Sequence, residues 1–123
     1  MGYDALARVL PVELPRPKRL SPTQVHAFYR DGYLVVPQVF DQTDIELISD
    51  ALDRLAETAS RFSSTTMHRG TQFVVRPGDR GVCIDRIVWV GAAEPILSAY
   101  GQDDRLLAIA SRILGTRRME QLI

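Results

Sequence analysis

Apolar and polar residues alternate along the chain in blocks that predict a short order of elements. Ser21 offers a side-chain oxygen for a helix N-cap, Pro22 suits the first helical position, and Gln24 completes an S-x-x-Q capping box ahead of Val25, Phe28 and Tyr29. The helix should run to about Asp31 and end at Gly32, which tolerates the left-handed conformation. Tyr33-Leu34-Val35-Val36 follows as a predicted strand, stopped or placed at an edge by Pro37. The clearest pattern comes next. Thr43 and Glu46 form a second capping box, and Ile45, Ile48, Leu52, Leu55, Ala59 and Phe62 recur at spacings of three and four, opposite Glu46, Asp50, Asp53, Arg54, Glu57 and Arg61. This predicts a helix over 44–62 packed by one face on a sheet.

The polar run Ser60 to Thr66 disfavours helix, because its hydroxyls compete for local backbone groups, and it reads as a mobile loop. Thr71–Val75 and Val82–Val90 read as strands of a hairpin turned by Arg76-Pro77-Gly78-Asp79-Arg80-Gly81. Glu94-Pro95 opens a helical segment through Tyr100. Asp103 or Asp104 then caps a helix carrying Leu106, Leu107, Ala110, Ile113 and Leu114, closed by Gly115. Pro11, Pro15 and Pro17 make residues 1–20 an irregular arm, with 21–123 as the domain. Met119-Glu120-Gln121-Leu122-Ile123 reads as a strand cut where it begins. That cut strand and the one-sided helix predict exposed apolar surface and self-association.

Composition narrows the function classes. Of 123 residues 46% are apolar, enough for one core, and fifteen basic residues balance fifteen acidic ones, so no net charge draws the chain to nucleic acid or to an anionic membrane. Arg117-Arg118 is too small a cluster for a nucleic-acid patch. No apolar run approaches the roughly 20 residues that span a bilayer. The single cysteine, Cys83, cannot form an internal disulfide, and no leader pattern opens the chain, so a cytoplasmic location is expected.

Candidate chemistry is sparse. The only histidines, His26 and His68, have no carboxylate two positions on, so the two-His-one-carboxylate set that holds non-haem iron is absent from the sequence as written. Cys83 lacks a CxxC partner and reads as a small hydrophobe. Gly78 and Gly81 match no phosphate-binding fingerprint and read as turn glycines. Asp85 and Arg86 interrupt an apolar strand, so one of them should point to water or into a polar cavity. His68, Arg86 and Trp89 are the candidate substrate-entrance residues. A guanidinium and an indole beside a cleft can hold an anionic or flat apolar small molecule.

The stretch from Leu20-Ser21-Pro22-Thr23-Gln24 through Phe28-Tyr29-Arg30-Asp31-Gly32-Tyr33-Leu34-Val35-Val36-Pro37 resembles the amino-terminal part of the phytanoyl-CoA dioxygenase family. So does the segment Leu106 to Ile123, where a small helix ending at Leu114-Gly115 leads to Glu120-Gln121-Leu122-Ile123. The resemblance implies an α+β fold in which amino-terminal helices and strands buttress a double-stranded β-helix, the jelly roll, of which this chain holds only the beginning. It implies an iron(II) and 2-oxoglutarate dependent oxygenase that hydroxylates a small organic substrate. The family's metal ligands, a His-x-Asp and a distal His, lie beyond Ile123, so the chain as written is expected to bind neither iron(II) nor 2-oxoglutarate by itself. The other function class is a small non-catalytic binding or assembly domain completed by a partner chain through the helix 44–62 and the apolar terminus.

Overall fold

Ser21 and Gln24 close the first cap reciprocally. The Gln24 N–H donates to Ser21 Oγ at 3.2 Å and the Ser21 N–H donates to Gln24 Oε1 at 2.9 Å. Helix α1 runs Pro22–Asp31, and Gly32, at φ 81°, ends it as predicted. The computed structural model describes residues 19–118, so most of the arm predicted over 1–20 and the strand predicted from Met119 lie outside the described residues. Residues 33–36 depart from the sequence reading. They are extended, with Leu34 and Val36 half-buried and Tyr33 and Val35 exposed, but they join no strand ladder among the described residues. The alternation is that of a strand, without a pairing partner among the described residues.

Helix α2, Gln42–Ala59, is capped two positions earlier than predicted. Asp41, not Thr43, accepts from the Asp44 N–H at 2.9 Å, and Asp44, not Glu46, accepts from the Asp41 N–H at 3.0 Å. Two carboxylates at the positive end of the helix dipole explain the choice. Its buried face is also turned from the predicted stripe. Asp44, Ala51, Leu55 and Ala59 face inward with Ile48 beside them, while Ile45 and Leu52 are 45% and 47% exposed. Small alanines at 51 and 59 let the helix lie close to the sheet on that face.

The sheet is a three-stranded antiparallel meander, β1 Thr66–His68, β2 Thr71–Gly78 and β3 Gly81–Val88. The β2–β3 hairpin is as predicted, with a tighter turn at Asp79-Arg80. Strand β1 corrects the mobile loop at its carboxyl end. Arg69 and Gly70 both take positive φ, 51° and 79°, the requirement of a two-residue hairpin turn, and return the chain so that Thr66 pairs with Phe73 and His68 with Thr71. A bulge follows in β3. Val74 pairs with Arg86 and Val75 with Ile84, leaving Asp85 as the extra residue. Both Asp85 and Arg86 are therefore exposed, and Asp85 accepts from Arg76 Nε at 3.0 Å.

Along β2, Thr71, Phe73 and Val75 are buried in strict alternation, and Phe73 and Val75 pack with Ala51, Leu55 and Ala59 of α2. The strand predicted to Val90 stops at Val88, because Trp89 turns left-handed and opens a short helix, α3 Val90–Ala93, that the pattern did not predict. Helices α4, Pro95–Gly101, and α5, Asp104–Leu114, follow as read, with Asp103 as the N-cap of α5 and Gly115 at φ 68° closing it. Gly91 allows α3 to meet α4, since a Cβ there would lie 2.8 Å from Ser98 Cβ. Ala93 and Leu97 complete the core. Helix α1 rests on α5, where the Tyr29 hydroxyl donates to Ile113 O at 2.6 Å. The fold is α+β, and among the described residues no helix is long and apolar enough to cross a membrane.

Candidate functional site

Strand pairing decides which candidate residues can meet, because directly opposed side chains share a face of the sheet. His68 opposes Thr71 and so lies on the helix-covered side, at its open rim, with its ring 5.7 Å from that of Phe62, which in turn stands 5.4 Å from the ring of Phe73. Arg86 opposes Val74 on the other face and is exposed. Trp89 follows β3 at the same end of the sheet as His68, for the Thr71 hydroxyl donates to Trp89 O at 2.8 Å. The fold thus brings His68 and Trp89 to one end and sets Arg86 apart from them. The two cavities beside Leu20 are lined by other residues.

Trp89 is held where a bulky residue rarely rests, at φ 57° and ψ 47°. Thr71, fully buried, pins that geometry from both sides: its hydroxyl donates to Trp89 O and accepts from the Ala93 N–H at 3.0 Å. The result is an indole half exposed at the end of the sheet. The β1–β2 turn lies against the same segment, as a Cβ on Gly70 would come within 3.0 Å of Ala92 Cβ. Arg54 Nε and one terminal nitrogen of its guanidinium grip Glu94 at 2.9 and 2.8 Å. That grip, with a smaller contribution from the nearby Arg69, holds the Glu94 carboxyl below its ordinary range. Strained backbone persists where its surroundings fix it, and it gathers at binding sites. The strained Trp89 therefore adds a physical reason to regard this end of the sheet as a contact surface.

A second constellation was not predicted from sequence. Arg105 donates to Asp44 at 2.6 and 3.2 Å and to the Asp103 carboxylate at 2.9 Å through two nitrogens. The Tyr100 hydroxyl donates to Asp44 Oδ1 at 2.8 Å, and the Arg105 guanidinium sits 4.8 Å over the Phe40 ring. Asp44 and Arg105 are both buried. Hydrogen bonding from Arg105 brings the Asp44 carboxyl down to about 2, and burial, with the Asp44 bond, pushes the Tyr100 hydroxyl up to about 12. Among the described residues no buried side-chain polar atom lacks a hydrogen-bond partner, those of this cluster included. The cluster therefore ties elements together and leaves no group free for proton transfer. Its one sequence signal was an acidic residue at each of positions 41, 44 and 103, which the capping argument used only in part.

Among the described residues no group of three or more His, Cys, Asp or Glu is arranged so that it could hold a metal ion. His26 lies on α1, His68 on β1 and the half-buried Cys83 on β3. These residues do not fit the ligand set of a non-haem iron centre, which needs two imidazoles and a carboxylate around one point. The chain matches no protein-family model, no curated protein and no solved structure.

Proposed function

We propose that this chain is the amino-terminal portion of a phytanoyl-CoA dioxygenase-like oxygenase dependent on iron(II) and 2-oxoglutarate, acting in the cytoplasm on a small organic molecule. In this reading it buttresses the jelly roll and forms one wall of the substrate entrance. The observation that carries the reading is the segment 33–36. In the stretch that resembles the family's opening, a capped helix ends at a left-handed glycine and runs into an extended segment whose side chains alternate in burial like a strand, with no strand paired to it among the described residues. An added sheet would supply that neighbour. The sheet supports the same reading, since α2 and α4 cover only one of its faces, and Met67, Val74, Arg86 and Val88 on the other are exposed or half-buried.

Iron and 2-oxoglutarate would be held by residues following Ile123, where iron activates dioxygen for hydroxylation. The contribution of the described residues is support and shape. His68 and Trp89 would stand at the entrance, and Arg86 would face the packed layer. The test is the reading frame after Ile123. It should continue with His-x-Asp and a later His, and the continued protein should convert 2-oxoglutarate to succinate only with iron(II). In that protein Trp89→Ala and His68→Ala should raise KM with the melting temperature nearly unchanged. A frame without these ligands, or a continued protein with no 2-oxoglutarate turnover, would sink the proposal. The same sheet face, which no described helix covers, also favours the reading of a binding domain completed by a partner chain, which that second outcome would leave standing.

A further inference from the structure

We propose that the cleft between the start of α1 and the carboxyl end of α5 binds a phosphate-bearing small molecule, through a phosphate monoester or diphosphate group. The cleft has a volume of about 650 Å³, within the range of roughly 300–1,000 Å³ usual for small-molecule sites. Arg19, just before α1, lines it together with Arg112 and Arg117 at the end of α5, 93 and 98 positions along the chain. No acidic residue lines it. None of the three guanidiniums makes an ion pair or hydrogen bond with another described residue. They contrast with Arg30, Arg54, Arg61, Arg76 and Arg105, each held by a carboxylate.

Three like charges converging on one concavity repel one another, and the walls focus their field. The negative end of the α5 dipole accounts for one of them at most, as its influence is confined to the last turn. The remaining positive charge matches a dianion or trianion. Guanidinium groups bind phosphate in bidentate fashion, which a monocarboxylate cannot exploit three times over. Hydrogen-bonding capacity is present as well. Thr116 Oγ1 already accepts from the Arg118 N–H at 3.1 Å, which leaves its own proton for an anion oxygen. The buried Leu20 offers an apolar floor, and Arg19 and Leu20 also line an adjoining cavity of about 280 Å³ with Val36 and Pro37, room for the organic body of the ligand. The cleft lies apart from His68 and Trp89 and does not require the oxygenase reading.

The probe is pyrophosphate, titrated calorimetrically into the full chain at low ionic strength. Saturable one-to-one binding that weakens with salt is expected. Arg112→Gln and Arg117→Gln should each weaken it about tenfold, and Arg19→Gln similarly, with circular dichroism and melting unchanged because all three side chains are exposed. Arg86→Gln on the sheet should leave binding as it was. Absence of saturable binding, equal loss in the Arg86 variant, or succinate binding as tightly as pyrophosphate would each overturn the proposal.

Discussion

The two ends of helix α2 are fixed by opposite kinds of force. Toward its carboxyl end, Ala51, Leu55 and Ala59 lie on Phe73, Val75 and Leu97 with no polar atom required. Toward its amino end, Asp44 is held by Arg105 and Tyr100 from the far side of the molecule in sequence. Apolar burial is non-directional and tolerates small rotations. A carboxylate gripped by a guanidinium and a phenol does not, so the polar end sets the rotation of the helix and the apolar end supplies adhesion. This explains why α2 is turned from its predicted stripe: Asp44 must face inward, and Ile45, its neighbour, then cannot.

The sharpest way to break this contrast is to remove one charge. Arg105→Met leaves the buried Asp44 and the half-buried Asp103 without their cation and should cost about 3–5 kcal/mol in urea unfolding. Adding Asp44→Leu should recover part of that loss, because the uncompensated charge goes with it. At the apolar end Leu55→Ala should cost about 2–5 kcal/mol, from lost transfer energy and a cavity. A loss under about 1 kcal/mol for Arg105→Met would mean that the polar end is ornamental and packing alone positions α2.

Acid should separate the two ends without mutation. The Asp44 carboxyl is depressed from 3.8 to about 2 in the folded chain, so its contribution is fully present above pH 4 and is lost as pH falls toward 2. A shift of that size is worth on the order of 2 kcal/mol. Tyr100 acts in the opposite sense: its folded value is raised, so its share is present below pH 10 and is lost as pH rises through about 12. The Leu55→Ala variant should keep the acid limb of the stability profile, whereas Asp44→Asn should flatten it.

The caps of α1 and α5, the β2–β3 hairpin and the glycine helix ends were legible in the sequence because their signals are local, whereas the cap of α2 was read two positions late. Ser21 with Gln24, Gly32, Asp103 and Gly115 act within a few residues of themselves. The rest depended on distant partners. Asp44 and Arg105 are 61 positions apart, and nothing in either periodicity says that a charge belongs inside. The β1 hairpin turned on Arg69-Gly70, a weaker signal than Asn-Gly, so its strand was read as loop. Of the entrance candidates, Trp89 acquires its strained backbone from Thr71, 18 positions earlier, a constraint that no local pattern carries.

That pin gives a smaller test. Thr71→Val keeps the shape but strands Trp89 O and the buried Ala93 N–H, and should cost about 1–3 kcal/mol. Trp89 fluorescence should shift to longer wavelength as the turn loosens. An unchanged spectrum with a large stability loss would place the role of Thr71 in the core and not in presenting the indole.

The smallest expected effect is the most direct check on the rotation of α2. Leu52 belongs to the apolar stripe read from the sequence, where truncation would cost as much as at Leu55. In the fold its side chain is 47% exposed, on the shoulder of the helix. Leu52→Ala forfeits only part of the roughly 1.5–3 kcal/mol of full burial, opens no enclosed cavity, and gains slightly in helix propensity. A cost below about 1 kcal/mol is expected, well under that of Leu55→Ala measured side by side. Equal costs at the two positions would mean that Leu52 is covered by something outside residues 19–118, and the face Asp44 selects would then be only one of two that the helix buries.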